Sequence, residues 1–447
     1  MVDQVAEIEF PQATRSSWSR LKGLLRHRVM ENMIALWGVQ VIRKVLPMVT
    51  MPYLGRTIGP HGLGLVAFVQ GFTIFVALLI EYGFNLSATR ELAQCRNSRQ
   101  RRSELVGGVL GAQILMSSLA VALSFVASRF VPILAADPRL LISGLVLCIA
   151  DSCNPYWYFQ GMEKMRFVAA FEVSSKVLAA AGIFLVVRSP DDAWLVLATQ
   201  AAASLCSTSV ALVLALRESG MCRPTVALIR EAVHMGWPMF LFRSADSLYA
   251  LGNSFILGLF VSPVLVGYYA GSEKISKAFF GLMNPIREAL YPRLANLMNE
   301  SQNEAARVAR IGVYVMGTGG LVLGGLVFTL APYLVRVLLG SEFSSAVPVL
   351  RILSLLPPLM GVTHSVGFQW LLPLGKNEVI NRIMVSAGIL NFTLAIILAP
   401  RFAHIGMAWA VVISEAFLCL RMVHAVSSME GIPGFLPFGK NRISPAI

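Results

Sequence analysis

Twelve stretches of this chain are apolar for long enough to cross a bilayer: roughly 31 to 54, 63 to 87, 104 to 128, 139 to 160, 166 to 188, 193 to 217, 233 to 260, 266 to 292, 308 to 335, 345 to 373, 378 to 399 and 404 to 427. Each supplies about 20 mainly apolar residues, the number a helix needs to traverse a hydrocarbon core of about 30 Å. Lipid offers the backbone no hydrogen-bond partner, so stretches of this kind are helical. Short polar segments separate them. The pattern predicts an all-α integral membrane protein of about 12 transmembrane helices.

One polar segment is written twice. Leu54-Gly55-x3-Gly59-Pro60-x3-Gly64-x2-Ala67 recurs as Leu257-Gly258-x3-Ser262-Pro263-x3-Gly267-x2-Ala270, each time between two apolar stretches. The chain therefore reads as two similar halves. Residues 31–217 form the first six-helix bundle and 233–430 the second, with 218–232 as a cytoplasmic linker. Residues 1–30 are a basic cytoplasmic N-terminal segment and 431–447 a cytoplasmic tail. Six spans per half is an even number, so the halves share one orientation. The expected architecture is two parallel, pseudo-symmetric six-helix bundles around a central cavity, an arrangement that in secondary transporters places the substrate between the repeats.

Composition agrees with solvation by lipid: of 447 residues, 56% are hydrophobic and only 14% charged, with a mean hydropathy of +0.68. Orientation follows the bias of Lys and Arg toward one side. Arg15, Arg20, Lys22, Arg26 and Arg28 precede the first span, and Arg90, Arg96, Arg99, Arg101 and Arg102 follow the second. Loops on the other side carry few cations, among them Arg56, which reads as a topology marker at a span end. Both termini are expected in the cytoplasm, and this asymmetry accounts for the net charge of +13 without a nucleic-acid partner. Residues 18–30 read as a basic amphipathic helix on the inner membrane face. The first apolar run is followed by further spans and reads as a spanning helix rather than a cleavable signal. The six cysteines suggest neither a disulfide framework nor a zinc site.

Charges inside the spans are the candidate chemistry, because a charged side chain at mid-bilayer costs about 2.5–3.5 kcal/mol and usually faces a bundle interior or a wet cavity. Span one carries Arg43 and Lys44, span two Glu81, span four Asp151, and span five Glu172 with Lys176. Span seven carries Arg243 and Asp246, span eight Glu273, Lys274, Lys277 and Glu288, span ten Arg351 and span twelve Glu415. Glu172/Lys176 and Glu273/Lys277 are i,i+4 pairs able to neutralise each other locally. Arg243, Asp246 and Asn253 fall on one helical face. Arg43 and Lys44 have no acidic residue within a turn, so at least one needs an anionic partner from elsewhere. Extending the repeat offset of 203 residues sets Glu81 opposite Asn284 and Asn85 opposite Glu288. A cavity lined by these carboxylates and amides suits a hydroxyl-rich solute and a coupling cation; interhelical hydrogen bonding alone would also explain them.

Pro155 should kink span four, where Trp157 and Tyr158 suit the headgroup level or, alternatively, a sugar ring. Gly107-x3-Gly111 and Gly320-x3-Gly324 allow close helix contact.

Pro52-Tyr53-Leu54-Gly55-Arg56-Thr57-Ile58-Gly59-Pro60, the run from Glu81 through Tyr82, Gly83, Phe84 and Asn85 to Glu91, and Trp157-Tyr158-Phe159-Gln160-Gly161-Met162-Glu163-Lys164 resemble the polysaccharide-transporter family of O-antigen and oligosaccharide flippases. That family lies within the multidrug/oligosaccharidyl-lipid/polysaccharide exporter superfamily. The resemblance covers roughly residues 30 to 430. It implies a flippase that moves an undecaprenyl-pyrophosphate-linked oligosaccharide from the cytoplasmic to the periplasmic leaflet of the bacterial inner membrane. Related lipid II flippases use first-helix arginines around the substrate pyrophosphate, which implies that Arg43 or Lys44 binds it here; positive charge in a costly place adds Arg243 as a second contributor. The expected partners are the lipid-linked oligosaccharide, bacterial membrane lipids, and the polymerase and chain-length regulator of the same pathway. No cofactor or metal is expected beyond a coupling Na⁺ or H⁺.

Two other readings stay open. An ion-coupled drug or metabolite exporter of the same fold would favour an acidic cavity, against which Lys44, Lys176, Arg243 and Lys274 argue. A membrane polymerase or ligase would need a sizeable outer loop with catalytic groups, and the outer loops are short. No zinc-ligand pair, nucleophile elbow or phosphate-binding loop is present.

Overall fold

The computed structural model describes residues 46–220, 222–250 and 252–428, apart from the side chains of 241–250, 289, 292, 295, 299, 302 and 368. These residues form helices and the turns that join them. After α1 (46–57) come α2 (Gly59–Glu81), α3 (Phe84–Gln94), α4 (Arg99–Phe130), α5 (Pro132–Ala136), α6 (Pro138–Ser152), α7 (Tyr156–Gly161), α8 (Met165–Val186) and α9 (Ala193–Ser219). The second half holds α10 (Val226–Ala250), α11 (Asn253–Gly258), α12 (Pro263–Gly281), α13 (Asn284–Glu300), α14 (Gln302–Leu338), α15 (Val347–Leu353), α16 (Leu356–Val366) and α17 (Asn377–Ser427). Among the described residues eight stretches are long and apolar enough to cross a membrane. Large apolar side chains such as Ile114 and Leu123 on α4, Leu321 and Val322 on α14 and Ile389 on α17 point outward, as a lipid-facing surface requires. The chain is an all-α, multi-pass membrane protein.

Breaks in the helices fall where the sequence places backbone specialists. Tyr82 and Gly83 have φ of 44° and 78°, which separates α2 from α3. Asn154 and Pro155 lie in the interruption between α6 and α7, where the kink at Pro155 is expected. The 51-residue α17 is a hairpin: Ala403 takes φ 51°, and Gly406 approaches the Leu398 carbonyl so closely that a Cβ there would sit 2.2 Å from its oxygen. Eight residues of straight helix would span about 12 Å, so the chain folds back between them, matching the separate spans expected at 378–399 and 404–427. A capping box of Ser189 and Asp192 precedes α9. The backbone N–H groups of Arg188 and Ser189 hold the Asp192 carboxyl below the usual carboxylate range.

The two copies of the repeated motif pack on each other. A Cβ at Gly64 would lie 1.7 Å from the Pro263 oxygen, and one at Gly267 would lie 2.1 Å from the Pro60 oxygen. The contact is reciprocal, with each glycine seated on the proline turn of the other copy. Only hydrogen at both Cα positions lets α2 and α12 come this close, and this is the most extensive pairing of the first half with the second. Arg56 reinforces it by donating from Nη2 to the Val337 carbonyl at 2.7 Å, at the C-terminal end of α14, where carbonyls lack helical partners. One apolar core here joins residues of both halves, from Ile58 and Phe68 to Leu339 and Phe343. Away from this end the cores separate. One gathers Phe84, Trp157, Tyr158 and Ala215 of the first half, and another Leu294, Trp370, Ile383 and Met422 of the second.

The start of α10 belongs with the first of these separate cores, since Ala232 lies in it. Gly107, Gly108 and Gly111 of α4 receive Cys222, Leu228 and Pro224 at distances that leave no room for a Cβ. The expected close contact at Gly107-x3-Gly111 is therefore made with the connection between the halves. Gly320 and Gly324 likewise meet the Pro357 and Ser354 carbonyls. Gly108→Val should lower stability by about 1–3 kcal/mol through overpacking, read as a lower thermal midpoint in detergent. An unchanged midpoint would mean that α10 does not depend on this seat.

Candidate functional site

A cavity of about 590 Å³ opens beside the contact of the two repeats. Among the described residues its walls come from α1, α2, α6, α7, α8 and α9 of the first half, and α12 contributes Lys274 alone. Asp151, Glu172, Lys176 and Lys274 face it together with Gln70, Gln200, Ser175, Ser204, Thr50 and Tyr156. Asp151 accepts a hydrogen bond from Ser204 Oγ, and Gln70 Nε2 donates to Gln200 Oε1 at 3.4 Å. Lys274 is exposed to the cavity it borders. Neither Lys176 nor Lys274 forms an ion pair among the described residues. The cavity thus combines two cations without an ion-pair partner among the described residues, two carboxylates and an amide and hydroxyl wall.

Spacing on the helices explains this gathering. Gln200 and Ser204 are four apart on α9, and Glu172 and Lys176 four apart on α8, so each pair shares a face. Lys277 and Glu273 pair at 3.0 Å as their spacing suggests, but Glu172 and Lys176 do not pair with each other. Glu172 has other interactions.

The remaining sequence candidates fall elsewhere. Glu273 also accepts from Tyr269 Oη at 3.3 Å, and Asn391 Nδ2 donates to Asn253 Oδ1 at 2.9 Å, so the second half holds its own polar group at α11, α12 and α17. Glu81 and Asn85 bond each other at 3.2 Å across the α2/α3 break. Asn284 opens α13, and Glu288 is exposed on it. The two halves also drift in register. Pro60 and Pro263 are 203 residues apart, but the breaks that end α2 at Glu81 and α12 at Gly281 are 200 apart. Measured from the breaks, Glu81 corresponds to Gly281, not to Asn284. α10 ends at Ala250 and α11 begins at Asn253, so Asn253 does not continue one helical face with Arg243 and Asp246. The side chains of Arg243 and Asp246, and all of Arg43 and Lys44, lie outside the described residues.

Trp157 and Tyr158 correct an expectation. They are 1% and 0% exposed, so they neither anchor at a headgroup level nor offer a platform to a sugar. They sit in the apolar core with Phe84 and Phe159. The motif around them docks on the motif that follows α2: Thr89 Oγ1 donates to the Trp157 carbonyl at 3.3 Å, and Arg96 holds both the Gly161 carbonyl (2.6 Å) and Glu163 (2.8 Å). Sequence reasoning singled out neither Gln70, Gln200 nor Ser204. A search for polar residues inside apolar spans, instead of charges alone, would have found all three.

Known proteins bear on this arrangement in three ways. Residues 29–298, more than half of the chain, match the family described as polysaccharide biosynthesis protein. A candidate O-antigen transporter of Escherichia coli (strain K12) is 28% identical over 396 residues, covering 88% of this chain and 95% of the relative. One of Shigella dysenteriae is 26% identical over 402 residues, covering 89% and 99%. Among solved structures, the lipid II flippase MurJ in an inward closed conformation superposes with a TM-score of 0.71 at 13% identity, covering 89% of this chain and 88% of that one. An inward-facing multidrug resistance MATE family transporter of the MOP superfamily gives 0.62 at 14% identity, covering 87% and 94%. At these identities the structures establish the shared fold. With its family-wide match, its helix-only membrane architecture and its polar intramembrane cavity, this chain belongs to the polysaccharide biosynthesis protein family of membrane proteins.

Proposed function

We propose that the protein is a flippase for a lipid-linked oligosaccharide, carrying its pyrophosphate and sugars through the cavity that the first half lines and Lys274 of the second half borders, from the cytoplasmic to the periplasmic leaflet of a bacterial inner membrane. The observation that carries this reading is the pair of lysines, Lys176 and Lys274, which form no ion pair among the described residues and share the cavity with the carboxylates Asp151 and Glu172 and with a set of amides and hydroxyls. An exporter of organic cations would be opposed by these lysines. A pyrophosphate diester carries about two negative charges, and each is worth about 2.3 kcal/mol in a potential of 100 mV. Outward movement therefore gains up to about 4–5 kcal/mol if both charges cross alone. The cations stay behind, binding the headgroup on the cytoplasmic side and releasing it as the halves rock. Arg43 and Lys44 of the first span, with Arg243, are proposed as further members of this cationic set. Transport is ion-coupled in this reading, by Na⁺ or H⁺, with the carboxylates Glu81, Glu273 and Glu288 as the groups to test.

The full architecture is taken as twelve spans in two parallel bundles, with both termini and the 218–232 segment in the cytoplasm. Cys222, in a background with the other five cysteines replaced by serine, should react with an impermeant maleimide only after the inner membrane is opened. Labelling in intact spheroplasts would reverse the topology. For the function, a strain lacking the protein should accumulate undecaprenyl-pyrophosphate oligosaccharide on the cytoplasmic leaflet and recover surface polysaccharide when the gene is restored. Normal polysaccharide in the deletion strain, with no second flippase present, would remove the proposal.

A further inference from the structure

We propose that the Gln70–Gln200 amide pair, with Asp151 and Ser204 beside it, is the sugar-reading wall of the cavity and sets which first sugar the protein accepts. The inference rests on the reading of this cavity as the site of a pyrophosphate-linked lipid, and it divides that site into two chemically different parts. Lys176 and Lys274 supply point charges that attract any phosphate and say nothing about what is attached to it. The amide wall has the opposite character. Each glutamine amide offers two donors and an acceptor with two lone pairs. Their mutual bond, at 3.4 Å, uses one donor and one acceptor and is longer than the usual 2.7–3.2 Å. Gln70 and Gln200 both line the cavity and are only half-buried, so the remaining amide positions are open to a ligand.

Charge fixes which end of the ligand meets this wall. The Asp151 carboxylate accepts from the Ser204 hydroxyl and is open to the cavity. A carboxylate repels a pyrophosphate and accepts from a sugar hydroxyl; the other cavity carboxylate, Glu172, shares its α8 face with Lys176, so the ring turns to Asp151 and the glutamines and the phosphates turn to the lysines. Size decides how much of the glycan is read. A volume of about 590 Å³ is that of a small-molecule pocket. It takes the pyrophosphate and the sugar nearest to it, and the rest of the glycan lies outside the amide wall. Hydrogen-bonding groups in such a wall penalise a ligand that leaves them unpaired more than an apolar wall penalises a missing methylene. The preference they confer should therefore be about tenfold or more between a matched first sugar and none.

The test uses the full chain in nanodiscs and five defined lipids: undecaprenyl pyrophosphate, and the same lipid bearing a single N-acetylglucosamine, N-acetylgalactosamine, glucose or galactose. The quantity read is the ratio of dissociation constants, bare lipid over sugar lipid. The wild-type ratio should reach about ten for at least one sugar, and Gln70→Leu and Gln200→Leu should each bring it to within about twofold of one. Gln200→Asn, which keeps an amide but withdraws it by one methylene, should give an intermediate ratio and serves where a leucine variant does not fold. Lys176→Gln with Lys274→Gln should weaken every lipid, the bare one most because its terminal phosphate carries an extra charge, so the ratio should not fall. A wild-type ratio near one for all four sugars, or a full ratio in both leucine variants, would overturn the amide wall while leaving the flippase reading intact. Failure of the wild type to bind any of the five lipids would instead sink the flippase reading.

Discussion

Lys274→Glu should reduce translocation of a pyrophosphate-linked substrate by about 30- to 1,000-fold at sub-saturating substrate, with insertion and expression unchanged. Lys274 is the one cavity-lining residue contributed by the second half among the described residues, and its Nζ has no ion-pair partner there. A unit charge about 4 Å from a phosphate is worth about 4 kcal/mol at an effective dielectric constant of 20, and water in the cavity reduces this. Replacing attraction by repulsion should therefore remove on the order of 2–4 kcal/mol of binding. Lys274→Gln should cost roughly tenfold, and Lys274→Arg should retain most activity, since the requirement is for charge. Insertion should survive because the site already borders the cavity. Wild-type transport by both the Gln and Glu variants, measured as initial rates in proteoliposomes, would remove Lys274 from the substrate path.

The second large effect is expected at the contact of the repeats. Gly64→Val should separate the halves at the end where they now meet, because even a Cβ would lie 1.7 Å from the Pro263 oxygen and 2.6 Å from its carbonyl carbon. Backbone cannot yield as a flexible side chain would, so the strain should exceed the usual overpacking penalty of about 1–3 kcal/mol. Gly267→Val should do the same against Pro60. Since the two glycines serve one interface, the double variant should be little worse than either single one. Arg56→Ala, which removes only the bond to the Val337 carbonyl, should give a milder version. A reporter cysteine at Ser204, in a background with the other cysteines replaced, should become accessible to an impermeant reagent from the periplasmic side in Gly64→Val and stay protected in the parent. Equal protection in both would show that this contact does not close the cavity.

Much of the architecture was legible in the sequence because membrane helices are specified by length and hydropathy. The break at Pro155, the division near 400 and the glycine contacts all appear where composition placed them. The duplicated turn was legible for the same local reason, but its meaning was not. That Gly64 and Gly267 seat on each other's prolines is a tertiary fact which no periodicity encodes. The register drift between the halves was likewise invisible, since a difference of three residues inside α2 and α12 leaves both reading as uninterrupted apolar helices. Charges found the lysines and Asp151 of the cavity. They missed Gln70 and Gln200, whose neutral amides raise no alarm within an apolar run, although their burial needs partners as surely as a charge does. Trp157 and Tyr158 misled for the converse reason. Their amphipathic character fits an interface, and only packing reveals that they fill the core.

Direct observation of lipid movement tests the account most closely. Purified protein in liposomes, with undecaprenyl-pyrophosphate oligosaccharide supplied in the outer leaflet and a lectin or glycosidase outside, should protect the glycan over time as it crosses to the lumen. Phe75→Cys paired with Phe255→Cys, at positions where the two rings face each other between the halves with centroids 5.9 Å apart, should stop that protection once bridged by a reducible bifunctional thiol reagent, and reduction should restore it. Lys274→Glu should not protect. Glycan that stays fully accessible with active, reduced protein, or that crosses equally well with the repeats locked together, would contradict the account.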